Sequence, residues 1–171
     1  MKPLIFPRAA FVMSRIVLSF GIIAASFFGT LWLLNNIWDV KYELVEVFPA
    51  KDLPSLTGRL NERGARVATE GVDRQNFVTY GPYIALKKGA YQIHIYYSSS
   101  AAPTQSIGTW DIMNGTSAVA NGSLKGTNGK IEIMSVYFNA SDTPTKYEFR
   151  NNWTGSKDIE IYKIELLVQR P

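Results

Sequence analysis

The chain falls into two parts that differ in how apolar and polar residues are spaced. Between Ile16 and Trp38 no charged residue occurs, whereas from Val40 onward short runs of alternating apolar and polar residues are separated by Gly, Pro and Asn-Gly pairs. An uninterrupted apolar stretch of this length predicts one membrane-spanning helix. Alternation with a period of two predicts β-strands. The pattern therefore indicates a single helix followed by an all-β domain.

The apolar stretch, residues 16–38, is predicted to be a retained transmembrane anchor that follows a short N-terminal segment, 1–15. A cleavable signal peptide has the same basic start, but its apolar part is usually about 7 to 15 residues, and here it continues to Ile37. Basic residues before the stretch and acidic residues after it predict a cytoplasmic N-terminus. We therefore expect the β domain in the periplasm or extracellular space, with a bacterial inner membrane favoured.

Three small residues recur every four positions along the predicted helix, at Gly21, Ala25 and Gly29. They share one helix face, and small residues on such a face allow another membrane helix to approach closely. The stripe predicts a packing surface for a multispanning membrane protein.

The rest of the chain predicts a short strand or stalk, residues 39–56, and a β-sandwich, residues 57–171. Its clearest strand is 91–97, in which every second residue, from Tyr91 to Tyr97, would face a core. Further strands are expected near 66–70, 77–80, Trp110, Leu124, 131–138, 146–150 and 159–168. Eight or nine short strands with tight turns predict an antiparallel β-sandwich of jelly-roll type.

Composition excludes several classes of site. The net charge of +4 arises largely from three basic residues before the helix, and no basic run interleaved with aromatic residues follows, so no nucleic-acid partner is expected. There is no cysteine and one histidine, which excludes disulfides, cysteine nucleophiles and most zinc sites. No cofactor is expected, although loop Asp and carbonyl oxygens could hold a structural calcium ion.

Several short motifs are spread over the predicted sandwich. They are Tyr80-Gly-Pro-Tyr83, Leu86, Gly89, Tyr91-Gln-Ile-His-Ile95, Tyr147-Glu-Phe-Arg150 and Ile161–Leu166. The physical roles of most of these positions are structural: Gly81-Pro82, for example, supplies a chain stop. Together the motifs resemble those of carbohydrate-binding-module-like, galactose-binding-like jelly rolls. The resemblance implies a sandwich that binds a glycan, and such domains accompany bacterial glycosyltransferases and polysaccharide-assembly proteins.

A sugar site needs an aromatic ring for the apolar face of the sugar and polar groups for its hydroxyls. We expect Tyr96 and His94 on the outward face of the 91–97 strand, and Trp153 in a polar loop at 151–155, to contribute to it. The remaining candidates are Tyr83, Arg150 and Asn152. Further rings are available at Tyr80 and Trp110, and further polar groups at Asp111 and Arg74.

Catalysis has little support in the sequence, because His94 has no recognisable nucleophile near it. A pair drawn from Asp111, Asp142, Glu148 and Asp158 could in principle act as glycosidase carboxylates. The sequence thus predicts a non-catalytic, membrane-anchored module for a glycan or glycolipid headgroup, accessory to a glycosyltransferase or polysaccharide-assembly system. The alternative is a structural subunit that docks through its helix without binding sugar.

Overall fold

A computed structural model describes residues 40–142 and 145–170. Within this part the chain forms eleven β-strands, with one 3₁₀ turn at Ala50–Asp52 after the first. The strands are β1 (Tyr42–Pro49), β2 (Arg59–Leu60), β3 (Arg66–Ala68), β4 (Asn76–Thr79), β5 (Pro82–Ile84), β6 (Gly89–Ser99), β7 (Ser106–Asn114), β8 (Ser117–Lys125), β9 (Glu132–Ala140), β10 (Tyr147–Trp153) and β11 (Ile159–Gln169).

The strands form two sheets. The first sheet has the order β2-β3-β11-β6-β9, and β1 also pairs with β11; the second has the order β4-β10-β7-β8, and β5 also pairs with β10. All the strand pairs are antiparallel. The predicted antiparallel sandwich is confirmed, and its two sheets are consistent with a jelly roll.

Period-two alternation fills the space between the sheets with apolar side chains. In β6 the predicted inward set from Tyr91 to Tyr97 is buried, and β11 contributes Ile159, Ile161 and Ile164 from the neighbouring strand. From the second sheet, Tyr147 and Phe149 of β10 pack against them, with Phe138 of β9 in contact with both rings. These aromatic and branched residues bury large apolar areas, which is the main source of stability of such a core.

The structure decides one alternative that the sequence left open and differs from two other expectations. The segment 39–56 contains a true strand, because β1 pairs with β11 from Tyr42 to Pro49, so the first sheet begins well before residue 57. Asn121-Gly122, which has turn composition, lies inside β8 and pairs with β7. The described strands are also more numerous than the eight or nine predicted.

The predicted transmembrane helix, 16–38, and its stripe of Gly21, Ala25 and Gly29 lie outside the described residues. In residues 40–142 and 145–170, no helix has the length and apolar character needed to cross a membrane. Membrane insertion therefore stays a prediction of the sequence.

Candidate functional site

The six predicted sugar-binding residues do not come together in one place. Tyr96 and His94 lie on the outer face of the first sheet, while Arg150 and Asn152 alternate on the outer face of the second. Since the two outer faces lie on opposite sides of the sandwich, no single ligand can contact all of these residues.

The prediction for Trp153 is wrong. Trp153 is the last residue of β10 rather than a loop residue, and its side chain is fully buried in the core. Its indole N–H donates to the carbonyl oxygen of Lys157 at 2.9 Å, which satisfies the one polar group of the ring. A sugar cannot stack on this ring, because both of its faces are covered by protein.

On the first sheet, Tyr96 and His94 belong to a charged cluster around Glu165. The Tyr96 hydroxyl donates to Glu165 Oε2 at 2.8 Å, and Lys163 Nζ lies 2.6 Å from Oε1. His94 Nδ1 is 3.6 Å from the same carboxylate. Desolvation alone would raise the pKa of Glu165, but hydrogen bonds from Lys163 and Tyr96 outweigh it and lower the pKa.

This cluster is already internally satisfied. Lys163 Nζ also lies over the Tyr96 ring, 4.2 Å from its centroid, in a cation–π contact. The ring face that a sugar would need is therefore occupied by an ammonium group. The cluster ties β6 to β11 across the sheet, and it offers a poor platform for a ligand.

On the second sheet, Arg150 of β10 and Asp111 of β7 form a bidentate ion pair. The two residues are direct cross-strand partners, and both contacts, Nε to Oδ1 and Nη2 to Oδ2, are 2.6 Å long. Hydrogen bonding to Asp111 raises the pKa of Arg150. The guanidinium also lies over the Phe77 ring of β4, 5.1 Å from its centroid. The planar fork is thus fixed in orientation by a carboxylate and an aromatic ring.

Beside this pair lies a group of aromatic side chains, Phe77, Tyr80 and Tyr83. The Phe77 and Tyr80 rings are tilted, with centroids 6.3 Å apart. Desolvation and a hydrogen bond to Glu148 raise the pKa of the Tyr83 hydroxyl. The nearby Tyr80 raises this pKa further. Tyr83 is 46% exposed. We call Tyr80, Tyr83, Arg150, Asp111 and Glu148, together with Phe77, the aromatic–ionic patch.

Tyr83 has a backbone conformation that tyrosine rarely adopts. Its φ is +65°, in the left-handed region, where a bulky side chain is strained. Glycine would fit this position at lower cost, yet the chain places an exposed phenol here. Strained residues of this kind concentrate at functional sites.

Polar side chains continue the patch across the sheet. Asn152 of β10 pairs with Thr109 of β7, which in turn pairs with Ser123 of β8, and Asp111 pairs with Asn121. The face therefore combines two exposed or half-buried phenols with amide, hydroxyl and charged groups.

The sequence identified only part of this patch. Tyr80, Tyr83, Asp111, Arg150 and Asn152 are among the candidates that the sequence offers, whereas Phe77 is predicted only as a strand residue. The pairing of β10 with both β4 and β7 brings them together, and that pairing is not encoded in local periodicity.

The acidic residues do not form a catalytic arrangement in the described structure. Both oxygens of Asp111 accept hydrogen bonds from Arg150, and Glu148 accepts from Tyr83. Asp158 Oδ1 accepts the backbone N–H of Glu70 in a turn. In residues 40–142 and 145–170, no group of three or more His, Cys, Asp or Glu side chains is arranged to hold a metal ion.

A concave space at the edge between β8 and β9 is another candidate. This cavity of about 340 Å³ is lined by Tyr97, Lys125, Glu132 and Ile133 among others. Its one aromatic residue, Tyr97, is 5% exposed and belongs to the core. It therefore lacks a ring on which a sugar could stack, so the aromatic–ionic patch is the stronger candidate.

Comparison with known proteins relates the chain to solved structures only at a distance. No protein-family model and no curated protein matches it. The C-terminal CBM6 of LamC, a marine laminarinase from Zobellia galactanivorans, is 13% identical and covers 72% of this chain and 98% of its own, with a TM-score of 0.46.

Two other carbohydrate-binding modules are similar to the same extent. CBM6cm-2 of Cellvibrio mixtus lichenase 5A, solved with cellotriose, is 12% identical and covers 75% of this chain and 99% of its own, with a TM-score of 0.49. A CBM36 solved with calcium and xylotriose is 15% identical and covers 71% and 99%, with a TM-score of 0.48. So distant a likeness does not place a ligand site on this chain.

Proposed function

We propose that the β-sandwich is a non-catalytic glycan-binding module whose ligand lies on the aromatic–ionic patch of the second sheet. The observation that carries the proposal is Tyr83, an exposed phenol held at a φ of +65° beside the bidentate Arg150–Asp111 pair. Glycine at position 83 would relieve the backbone strain, so a tyrosine ring without a role would not be needed there. A ring that binds a ligand cannot be replaced by glycine without loss of binding.

The chemistry of the patch suits a sugar. A pyranose presents C–H groups on one face, which pack on an aromatic ring, and hydroxyls around its rim. Tyr83 and Tyr80 supply the rings. Arg150 keeps N–H donors beyond the two that Asp111 accepts, and a guanidinium held by a carboxylate is an oriented donor to a hydroxyl. Asn152 adds an amide that both donates and accepts.

We further propose that this module is anchored to a membrane by the predicted helix at 16–38. Tethering keeps the module at a high local concentration near glycans of the same membrane, so a weak affinity for each sugar is sufficient. An association with a glycosyltransferase or polysaccharide-assembly system stays a prediction from the sequence resemblance.

The test compares one tyrosine from each sheet. The full chain, purified in detergent, is screened on a glycan array, and the strongest ligand is titrated by calorimetry against the wild type, Tyr80→Ala and Tyr96→Ala. We expect Tyr80→Ala to weaken binding by about tenfold, because one stacking contact contributes roughly 1 kcal/mol beyond its buried area. Tyr96→Ala should leave the affinity unchanged.

Thermal unfolding of both variants controls for misfolding. An array without any binder would overturn the glycan proposal. Loss of binding in Tyr96→Ala with retention in Tyr80→Ala would move the site to the first sheet.

A further inference from the structure

Exposed basic residues collect at the end of the sandwich where β1 begins. Strand register fixes this end: Tyr42 pairs with Gln169 of β11, Gly89 of β6 pairs with Ala140 of β9, and Tyr147 of β10 pairs with Asn114 of β7. Each of these pairs joins a strand start to a strand end, so the flanking residues lie together. We call this surface the basic end; it comprises Lys87, Lys88, Lys146 and Arg170.

The charge of the basic end is not balanced by acidic residues. Lys87, Lys88 and Lys146 are exposed, in the segments that lead into β6 and β10. Arg170 is paired with Glu43 at 2.9 Å. A second acidic residue, Asp142, lies between β9 and β10 near this end. After that pairing, three lysines face one aspartate.

The opposite end of the described sandwich carries both signs in similar number. Its basic residues include Arg59, Arg74, Lys125, Lys130 and Lys157, and its acidic residues include Glu70, Asp73, Glu132 and Asp158. Arg59 pairs with Asp73 at 3.3 Å. Lys157 pairs with Glu70 at 3.2 Å. The excess of positive charge is therefore larger at the basic end than at the opposite end.

Aromatic and apolar side chains border the basic end on the outer face of the first sheet. The rings of Tyr42 and Tyr137 meet with centroids 5.8 Å apart, although β1 and β9 are separated by β11 and β6. Tyr137 is 61% exposed and Leu44, next to Tyr42 on the same face, is 52% exposed. Tyrosine beside basic residues is the composition of surfaces that sit at the level of lipid headgroups.

The chain also leaves the sandwich from this end. Three residues lie between the end of the predicted helix, Trp38, and the start of β1 at Tyr42. The four steps from Trp38 to Tyr42, fully extended, span at most about 14 Å. Because this step needs the helix to be in a membrane, the inference rests on the proposed anchor.

We propose that the basic end binds the surface of a bilayer that contains anionic lipids, with Tyr42 and Tyr137 at headgroup level. Lysines near an anionic surface each strengthen the attraction by about fivefold in affinity at ordinary ionic strength, and the effect decreases with salt. The interaction would fix the orientation of the sandwich on the membrane rather than hold it there.

The test uses the absence of cysteine from the chain. A spin label is attached to Asn139→Cys, exposed on β9 near the basic end, in the full chain reconstituted in nanodiscs of phosphatidylcholine with or without 30% phosphatidylglycerol. We expect the label to become less accessible to a water-soluble nickel chelate when the anionic lipid is present. Lys87→Glu, Lys88→Glu and Lys146→Glu together should abolish this protection, as should high salt.

A matched variant separates position from net charge. Arg74→Glu, Lys125→Glu and Lys130→Glu change the net charge by the same amount at the opposite end, and should keep the protection. Equal accessibility in both lipids, or equal loss in both triple variants, would overturn the proposal.

Failure of the anchor gives a different result. Without an anchor, the chain would be released from membranes by alkaline carbonate. Co-sedimentation of the released chain with the two vesicle compositions then tests the basic end directly: preference for the anionic vesicles supports it, and none overturns it.

Discussion

At the scale of single residues, two aromatic side chains that both follow turn-forming residues have opposite positions. Trp153 follows two asparagines and precedes Thr-Gly, a composition typical of a turn, yet the alternation of β10 continues through Asn151 to Trp153. Asn151 is fully buried, and its amide donates to Thr79 Oγ1 at 2.9 Å, which offsets part of the cost of placing an amide in the core. Tyr83, which follows Gly81-Pro82, instead lies at the surface of the sandwich.

Replacing Tyr83 with glycine should separate stability from binding. The change relieves a φ of +65° but removes the hydrogen bond to Glu148 and adds unfolded-state entropy, so we expect the free energy of unfolding to change by less than about 1 kcal/mol. Glycan binding should fall about tenfold, because the exposed ring is gone. Denaturant titration and calorimetry measure the two quantities.

Tyr83→Phe is the matched control, since it keeps the ring and loses only the hydroxyl. It should retain most of the affinity. If Tyr83→Gly binds as tightly as the wild type, or loses more than about 2 kcal/mol of stability, the ring serves the fold and not a ligand.

At the scale of elements, Gly122 shows how one strand is shaped by its neighbour. Asn-Gly usually indicates a turn, but Gly122 pairs with Trp110 in the β7–β8 ladder. A Cβ on Gly122 would lie 2.6 Å from Cζ2 of the Trp110 ring. The glycine is needed because the indole crosses this position, and not because of its conformational freedom.

Gly122→Ala should therefore destabilise the second sheet. The Trp110 ring has to tilt away from β8, and overpacking of this kind costs about 1–3 kcal/mol. Asn121→Ala, an exposed neighbour on the same strand, should change stability by less than about 0.5 kcal/mol. Equal stability of the two variants, measured by denaturant unfolding, would show that Trp110 adapts freely.

Periodicity predicts elements well where a strand has one buried face with no polar interruption. The 91–97 and 159–168 strands were predicted nearly as the structure has them, because apolar residues alternate along them without a break. For β1 the sequence allows either a strand or a stalk, because only its pairing with β11 decides between them. The pairing of β10 with β4 and β7 is a long-range feature, so local periodicity does not show that Phe77 and Asp111 lie beside Arg150.

At the scale of the whole molecule, the two proposed surfaces lie close to each other. β5, which carries Tyr83, ends at Ile84, three residues before Lys87 of the basic end. If the basic end lies on a bilayer, the aromatic–ionic patch opens next to the headgroup layer. A glycan bound there would then be part of a glycolipid or of a polymer growing at the same membrane.

This arrangement requires that the chain is anchored and that the sandwich lies outside the cytoplasm. Val72 is 70% exposed and is distant from the basic end, so a cysteine at this position should react freely in a chain that has none of its own. In intact, right-side-out membrane vesicles, we expect a membrane-impermeant maleimide to label Val72→Cys completely, and alkaline carbonate to leave the protein in the membrane. Labelling only after lysis would place the sandwich in the cytoplasm and reverse the orientation predicted from the basic N-terminus. Release by carbonate would show that residues 16–38 do not span the bilayer.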